Sequence, residues 1–422
     1  MKKIHLTFET GKIIYMLMAV TFGLQLLVCL KLQVYFAGDA AIVADAASNQ
    51  MKGGLNYFQI IYFLNNPNNL GMLYIDMFFL KISQLLGTNP VIIWKIVGMM
   101  LATISSGLTA FLTYWITDNA KMAYISYEIC AFLIACNPWC VVSYTDIYSV
   151  CIPIAVFYTY AKRGQKGMCG WRRVLLPILL AFVGSLLKPT NILPGIAVII
   201  VEVVSDMHHE NRLNSLKNLG IVIVVAGALT MGLYQLEVKG VNYSYDEAYL
   251  KPWTHYVMMG LNEKKYGRYY KVDDEYTNSF LTKEEKMEAN FEVIEQRLTK
   301  MGLPGYLKFV ARKTVNTYGD GTFAWGIWSK DYRPLTLENI RNVIWLSVLA
   351  GLGLNIIVTV RRRLRGITES LVIMNVMLCL LVWMYLMLFE TGARYVFMFA
   401  PCYILAGVSG IYRLMAAKNR NS

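Results

Sequence analysis

The sequence predicts an all-α, polytopic membrane protein with about ten transmembrane helices, juxtamembrane helices in the first outer loop and a mixed, largely helical outer region. Three observations carry that prediction. Of 422 residues, 56% are hydrophobic and only 16% charged, more apolar surface than a soluble domain of this size buries. Apolar runs of about 18 to 20 residues recur along the chain. The basic residues fall in short clusters between those runs, as in cytoplasmic loops facing anionic lipid. The formal net charge of +13 is therefore read as loop charge, and nucleic acid is excluded as a partner.

The run 13–33 follows a basic start, is long for a signal peptide and lacks a small-x-small cleavage site, so it is expected to stay as the first span. Equally firm runs cover 91–116, 219–237, 342–360, 370–389 and 395–414. The segment 70–86 carries Asp76 and Lys81 in its middle, where each charge would cost about 2.5–3.5 kcal/mol at a bilayer centre. It is expected to lie in the interface as an amphipathic helix with both charged heads wet. The stretch 174–204 is interrupted by Lys188, Pro189 and Pro194, which predicts two short helices meeting at a Lys-Pro-Thr turn. Residues 122–142 and 147–161 form another pair, joined at 143–148.

Charge parity orients these elements. With a cytoplasmic N-terminus the inner segments hold 18 Lys/Arg (3 in 1–12, 1 in 117–121, 5 in 162–173, 2 in 206–218, 4 in 361–366, 3 in 413–422), and the short outer segments hold only Lys31, Lys52, Lys81, Lys95, Lys188 and Arg394. The expected organisation is a helical module over 1–237, an extracytoplasmic region over 238–340 and a C-terminal helical module over 341–422. Cysteines 29, 130, 136, 140, 151, 169, 379 and 402 lie in or beside apolar runs and none falls in the outer region, so no disulfide framework is expected. Within that region Thr282 and Glu285 predict a capping box for a helix over 283–300. A Gly302–Gly305 stop follows, then a second helix over 306–317 resting on the membrane.

Ionisable residues gather on the outer face. Asp39, just beyond the first span, is the leading candidate for a base that takes the proton of an attacking hydroxyl, with Asp45 and Asp146 behind it. Asp146 could also join Asp39 around a divalent cation, although no Asp-x-Asp motif requires one. Lys188 and Arg394 are the cations expected to neutralise a lipid phosphate at the bilayer surface. In the outer region His255 and Asp320 stand among aromatic residues, a combination suited to sugar CH faces and hydroxyls.

The order of these features resembles the GT-C superfamily of polyprenyl-phosphate-sugar glycosyltransferases, which includes protein O-mannosyltransferases and the aminoarabinose transferase of lipid A. The features are Asp39 after helix one, a helix at 40–52, Pro67 before the helix at 70–86, Pro138 ahead of Tyr144 and Tyr148, and the Glu390–Tyr395 segment. The sequence departs from that pattern at Asn66 and Asn68, where relatives often carry His-Pro-Pro or Lys-Pro-Pro, and at Asp146, where they often carry Arg. The resemblance implies a sugar transferase of a bacterial plasma membrane. Its donor would be a polyprenyl-phosphate sugar and its acceptor a hydroxyl of a cell-surface glycopolymer, glycolipid or protein. It adds Lys95 as a phosphate ligand and Glu390 and Tyr395 as substrate contacts. The alternative, a transporter or flippase of a lipid-linked glycan, predicts charges within several helices and related halves. The sequence has few such charges and no internal repeat.

Overall fold

The apolar runs at 91–116, 219–237, 342–360 and 370–389 each form one long helix, as does 13–33 as far as residue 29, beyond which it lies outside the described residues; the run 395–414 is divided between one short helix and one long one. The computed structural model describes residues 7–29, 38–168, 170–206, 212–241, 246–325, 335–360 and 366–418. In chain order the helices are α1 (Phe8–Cys29), α2 (Asp39–Lys52), α3 (Tyr57–Asn65), α4 (Leu70–Leu86), α5 (Pro90–Thr117) and α6 (Ala120–Cys130). They continue with α7 (Thr145–Ser149), α8 (Cys151–Gln165), α9 (Trp171–Leu187), α10 (Leu193–Asp206), α11 (Arg212–Val241) and α12 (Trp253–Gly260). The remainder are α13 (Lys271–Asn278), α14 (Lys283–Tyr318), α15 (Leu335–Val360), α16 (Gly366–Leu388), α17 (Arg394–Phe397) and α18 (Ala400–Lys418). No strand occurs among the described residues. Six helices, α1, α5, α11, α15, α16 and α18, are long and apolar enough to cross a membrane. Helices α8, α9 and α10 and the α6 segment are shorter.

Local sequence explains most boundaries. Asn56 and Gln59 form a reciprocal capping box that starts α3, and Asn89 with Pro90 starts α5. The predicted Thr282–Glu285 box opens α14. Pro189 forces Lys188 into extended backbone between α9 and α10, a break that Asn191 clamps by donating to Ser149 Oγ and the Gly184 carbonyl at 3.0 and 2.9 Å. Beyond α6 the chain widens into a π turn, Ala131–Ala135, that frees carbonyls inside the bundle. Gln25 donates to the Ala135 carbonyl at 2.6 Å, and Arg341 donates to those of Phe132, Leu133 and Cys136. Such partners are what a low-dielectric interior demands of irregular backbone.

Helices α15 and α18 approach backbone to backbone. A Cβ on Gly407 would lie 2.5 Å from the Val348 carbonyl oxygen, so only glycine permits this approach. Two buried ion pairs, Arg173–Glu202 and Arg413–Glu369, tie helices together at the end of the bundle opposite α2. Outside the spans, α12 and α14 build a small second core from Val257, Met258, Leu261, Ile294 and Phe309.

One expectation is corrected here. Asp76 on α4 is fully buried, and the Ser143 hydroxyl donates to its carboxylate at 2.8 Å. The helix turns Asp76 toward the loop that precedes α7, where that hydroxyl satisfies one carboxylate oxygen; the other has no hydrogen-bond partner among the described residues. Lys81 is exposed as expected.

Candidate functional site

Four separate pieces of chain meet at the end of the bundle that carries α2. They are the first turn of α2, residues 143–146 entering α7, the end of α9, and residues 390–395, which lead from the irregular segment after α16 into α17. Asp39 is the first residue of α2, preceded by Gly38 at φ +57°, and is half-buried. Its carboxylate sits where the helix dipole favours negative charge. The Tyr144 hydroxyl donates to Asp39 Oδ2 at 3.1 Å. The Tyr62 hydroxyl, which accepts from Asn69 Nδ2 at 2.6 Å, also faces Asp39.

Asp146 lies in the first turn of α7 and is buried. One of its oxygens pairs with Lys188 Nζ; the other, also buried, has no hydrogen-bond partner among the described residues. Lys188 Nζ lies 5.4 Å over the Tyr395 ring. The Arg394 guanidinium lies 5.1 Å over the same ring and 5.8 Å over the Tyr144 ring. The Tyr395 hydroxyl donates to Glu390 Oε1 at 2.9 Å. Two tyrosines thus each join a carboxylate to cationic groups: Tyr144 links Asp39 to Arg394, and Tyr395 links Glu390 to Arg394 and Lys188. Desolvation raises the Glu390 carboxyl above the usual carboxylate range, opposed by the Tyr395 hydroxyl and the Arg394 charge.

A cavity of about 230 Å³ opens beside this cluster, lined by Arg268, Tyr269, Asp320, Glu390, Arg394 and Tyr395 among others. It falls below the roughly 300–1,000 Å³ of drug-sized sites and suits one small polar ligand. A second, larger hollow of about 720 Å³ lies between α4, α9 and α11. Its walls include Ile75, Phe78, Phe79, Leu186, Leu187 and Tyr148. Leu187 directly precedes Lys188 in the chain, and Tyr148 lies two residues beyond Asp146; the two charged residues themselves do not line the groove.

The other sequence candidates are placed as follows. Asp45 is exposed six residues along α2, about 240° round the helix from Asp39, and so points away from the cluster. Lys95 is buried in the second turn of α5. His255 lies outside the cavity lining, buried in the second core, with Nδ1 2.8 Å from Thr277 Oγ1. Asp320 does line the cavity, but its carboxylate oxygens are engaged by the Thr322 and Ala324 amides at 2.8 and 2.9 Å. Glu390 and Arg394 do not share a helix, because 389–393 is irregular. Nothing local in the sequence marks Tyr62, Arg268 or Tyr269 as site residues, and Tyr144, two positions from Asp146, is marked only by the layout of its loop. Among the described residues no three His, Cys, Asp or Glu side chains come together as metal ligands.

Fold and site together define an integral membrane protein with several spanning helices and a polar centre at one end of its bundle. Residues 2–333 match the model of a family described as "conserved hypothetical integral membrane protein", and the chain belongs to that family. Comparison with curated proteins and with solved structures found no match.

Proposed function

We propose that the protein is a membrane glycosyltransferase that moves a sugar from a polyprenyl-phosphate donor to a hydroxyl on the outer face of a bacterial plasma membrane. One observation carries the reading: a half-buried carboxylate, Asp39, and two cations, Lys188 and Arg394, share one site, and the wall of an apolar groove runs along the chain to Leu187, the residue before Lys188. A substrate with a long apolar chain, a phosphate and a polar head needs those three parts in that order. The remaining short helices, with the α6 segment, α8, α9 and α10 as spans, bring the proposed count to ten, with the N-terminus inside.

In the proposed step the acceptor oxygen attacks the anomeric carbon of the donor while Asp39 takes its proton. The bond between that carbon and the phosphate oxygen breaks, and its electron pair leaves with polyprenyl phosphate. Lys188 and Arg394 neutralise the charge that develops on the leaving group, which needs no general acid. Tyr144 holds the Asp39 carboxylate in place, and the small cavity by Arg394 receives the sugar or acceptor. The step is written with these two side-chain cations alone, and no metal ion is assigned.

The test is transfer from a panel of radiolabelled polyprenyl-phosphate sugars by the purified full chain and by Asp39→Asn. Transfer or hydrolysis by wild type alone supports the reading. Donor binding without turnover in either protein favours a transporter instead.

A further inference from the structure

Helix α14 changes character at Gly302, where the backbone enters the left-handed region at φ +56°. Its first part, 283–301, carries Glu284, Glu285, Glu288, Glu292 and Glu295; its second part, 303–318, has no acidic residue and holds Lys308, Arg312 and Lys313. Two opposite faces divide that second part. Phe309, Lys313 and Thr317 are buried, at helical spacing, toward the second core and the end of α16. The opposite stripe is Leu303, Leu307, Ala311 and Val315, and its large members are 72, 60 and 70% exposed. Lys308 and Arg312, also exposed, flank it one residue round the helix.

The contacts of the buried face fix what meets the exposed one. Lys313 Nζ donates to the carbonyls of Met387 and Phe389 at 3.0 and 2.8 Å, and to that of Gly260 at 2.7 Å. Trp383 Nε1 donates to Thr314 Oγ1 at 3.0 Å. Trp383 lies five residues inside the end of the α16 span, about 7–8 Å along its axis at 1.5 Å per residue. Thr314 also donates to Met387 Sδ at 3.2 Å, so this half of α14 lies against the last turns of a membrane-spanning helix. Beside that contact α16 exposes apolar residues of its own, Trp383, Met384 and Leu388. An exposed apolar stripe packed beside the end of a span is placed to meet lipid.

We infer that the second half of α14 is a membrane-docked helix: it lies in the outer leaflet with Leu303, Leu307 and Val315 among acyl chains and Lys308 and Arg312 at anionic headgroups. Gly302 is the bend at which the chain leaves water for the leaflet. The same helix runs into Tyr318 and Asp320, and Arg268 donates to its Asn316 carbonyl at 3.1 Å, so two residues lining the small cavity are tied to it. The depth of that cavity is set by how the helix docks. This inference stands independently of the chemistry proposed for Asp39.

The experiment places a nitroxide, through a genetically encoded ketone residue, at 303, 307 or 315, and at 292 and 295 as water-facing references. The native cysteines stay untouched. The full chain is held in nanodiscs of mixed zwitterionic and anionic phospholipid. These positions are exposed, so a label displaces no packed neighbour. The reading is the ratio of collision rates with oxygen and with a water-soluble nickel chelate. The inference expects a ratio about tenfold or more above the references at all three sites, as for groups below the headgroups. Ratios equal to those at 292 and 295 overturn it. Low collision with both reagents, accompanied by dipolar broadening between labels, also overturns it and makes the stripe an interface between two copies.

Discussion

The Tyr144 hydroxyl donates to the Asp39 carboxylate at 3.1 Å across 105 positions of sequence, while the Arg394 guanidinium covers the same tyrosine ring. If Asp39 is the base, Tyr144 is a positioning residue: it fixes which oxygen stays free to take a proton. Asp39→Asn should lower transfer by about 100-fold or more, the usual worth of a general base. Tyr144→Phe should cost only about tenfold, the worth of one hydrogen bond to a charged group. Transfer rates in detergent check this, and equal losses for both variants would contradict the division of roles.

Lys188 and Asp146 make a second relationship with a separate consequence. The lysine side chain is 13% exposed and the aspartate 1%, so each is dehydrated against the other. Removing one partner of a buried pair strands the other, at a cost of about 3–5 kcal/mol, whereas removing both is far milder. Lys188→Met and Asp146→Asn should each lower the thermal unfolding midpoint, and the double variant should lose clearly less than the sum. Affinity for the lipid-phosphate donor should nevertheless fall in both Lys188→Met and the double variant. Thermal unfolding together with donor binding reads the cycle; additive losses in stability would mean that the pair is not coupled.

Much of this architecture was legible in the sequence because its signals are local. Apolar run length marked the six long helices, and α4 spans the residues expected of its segment. The break at Lys188 followed from Pro189, and the start of α14 from Thr282 and Glu285. What escaped depends on partners far away in the chain. The salt bridge of Lys188 joins residues 42 positions apart, and Asp76 is kept dry by Ser143, 67 positions on. The π turn after α6 has no local signature either, since Gln25 and Arg341 supply the donors that make it tolerable. Hydropathy placed Asp39, Asp146, Lys188 and Arg394 on one face, but nothing in it could say that two tyrosines connect them.

His255 offers a prediction about the outer region alone. Burial, and after it the Lys251 charge, lower its imidazole to about 4 from the usual 6.5, with Asp274 and Asp273 opposing and Lys286 adding to the effect. The folded state therefore holds a neutral histidine that the unfolded chain would protonate more readily. Its contribution to stability is complete above about pH 6.5 and is lost as pH falls through about 4. Hydrogen exchange in 253–260 and 271–278, corrected for intrinsic rates, should quicken between pH 7 and 5 in the wild type. His255→Gln should flatten that dependence. An identical slope in both proteins would assign the pH response to another group.

The apolar groove makes the final prediction, because it separates recognition of a lipid chain from chemistry at Asp39. Ile75, Phe78 and Phe79 on α4 face Leu186 and Leu187 on α9 across a hollow of about 720 Å³, and Leu187 is the residue before Lys188. An isoprenoid chain lying there gains about 0.8 kcal/mol per buried methylene. Ile75→Trp narrows the passage without touching Asp39, Lys188 or Arg394. It should raise KM for an undecaprenyl-phosphate donor about tenfold or more while leaving kcat near its wild-type value, since contacts to an unreactive chain are the same in ground and transition states. A farnesyl-phosphate donor, too short to use the far part of the groove, should show almost no change. Steady-state kinetics with both donors decides the matter. An equal rise in KM for the two would mean that the substitution acts on the site itself, and no change for either would remove the groove from the path of the chain.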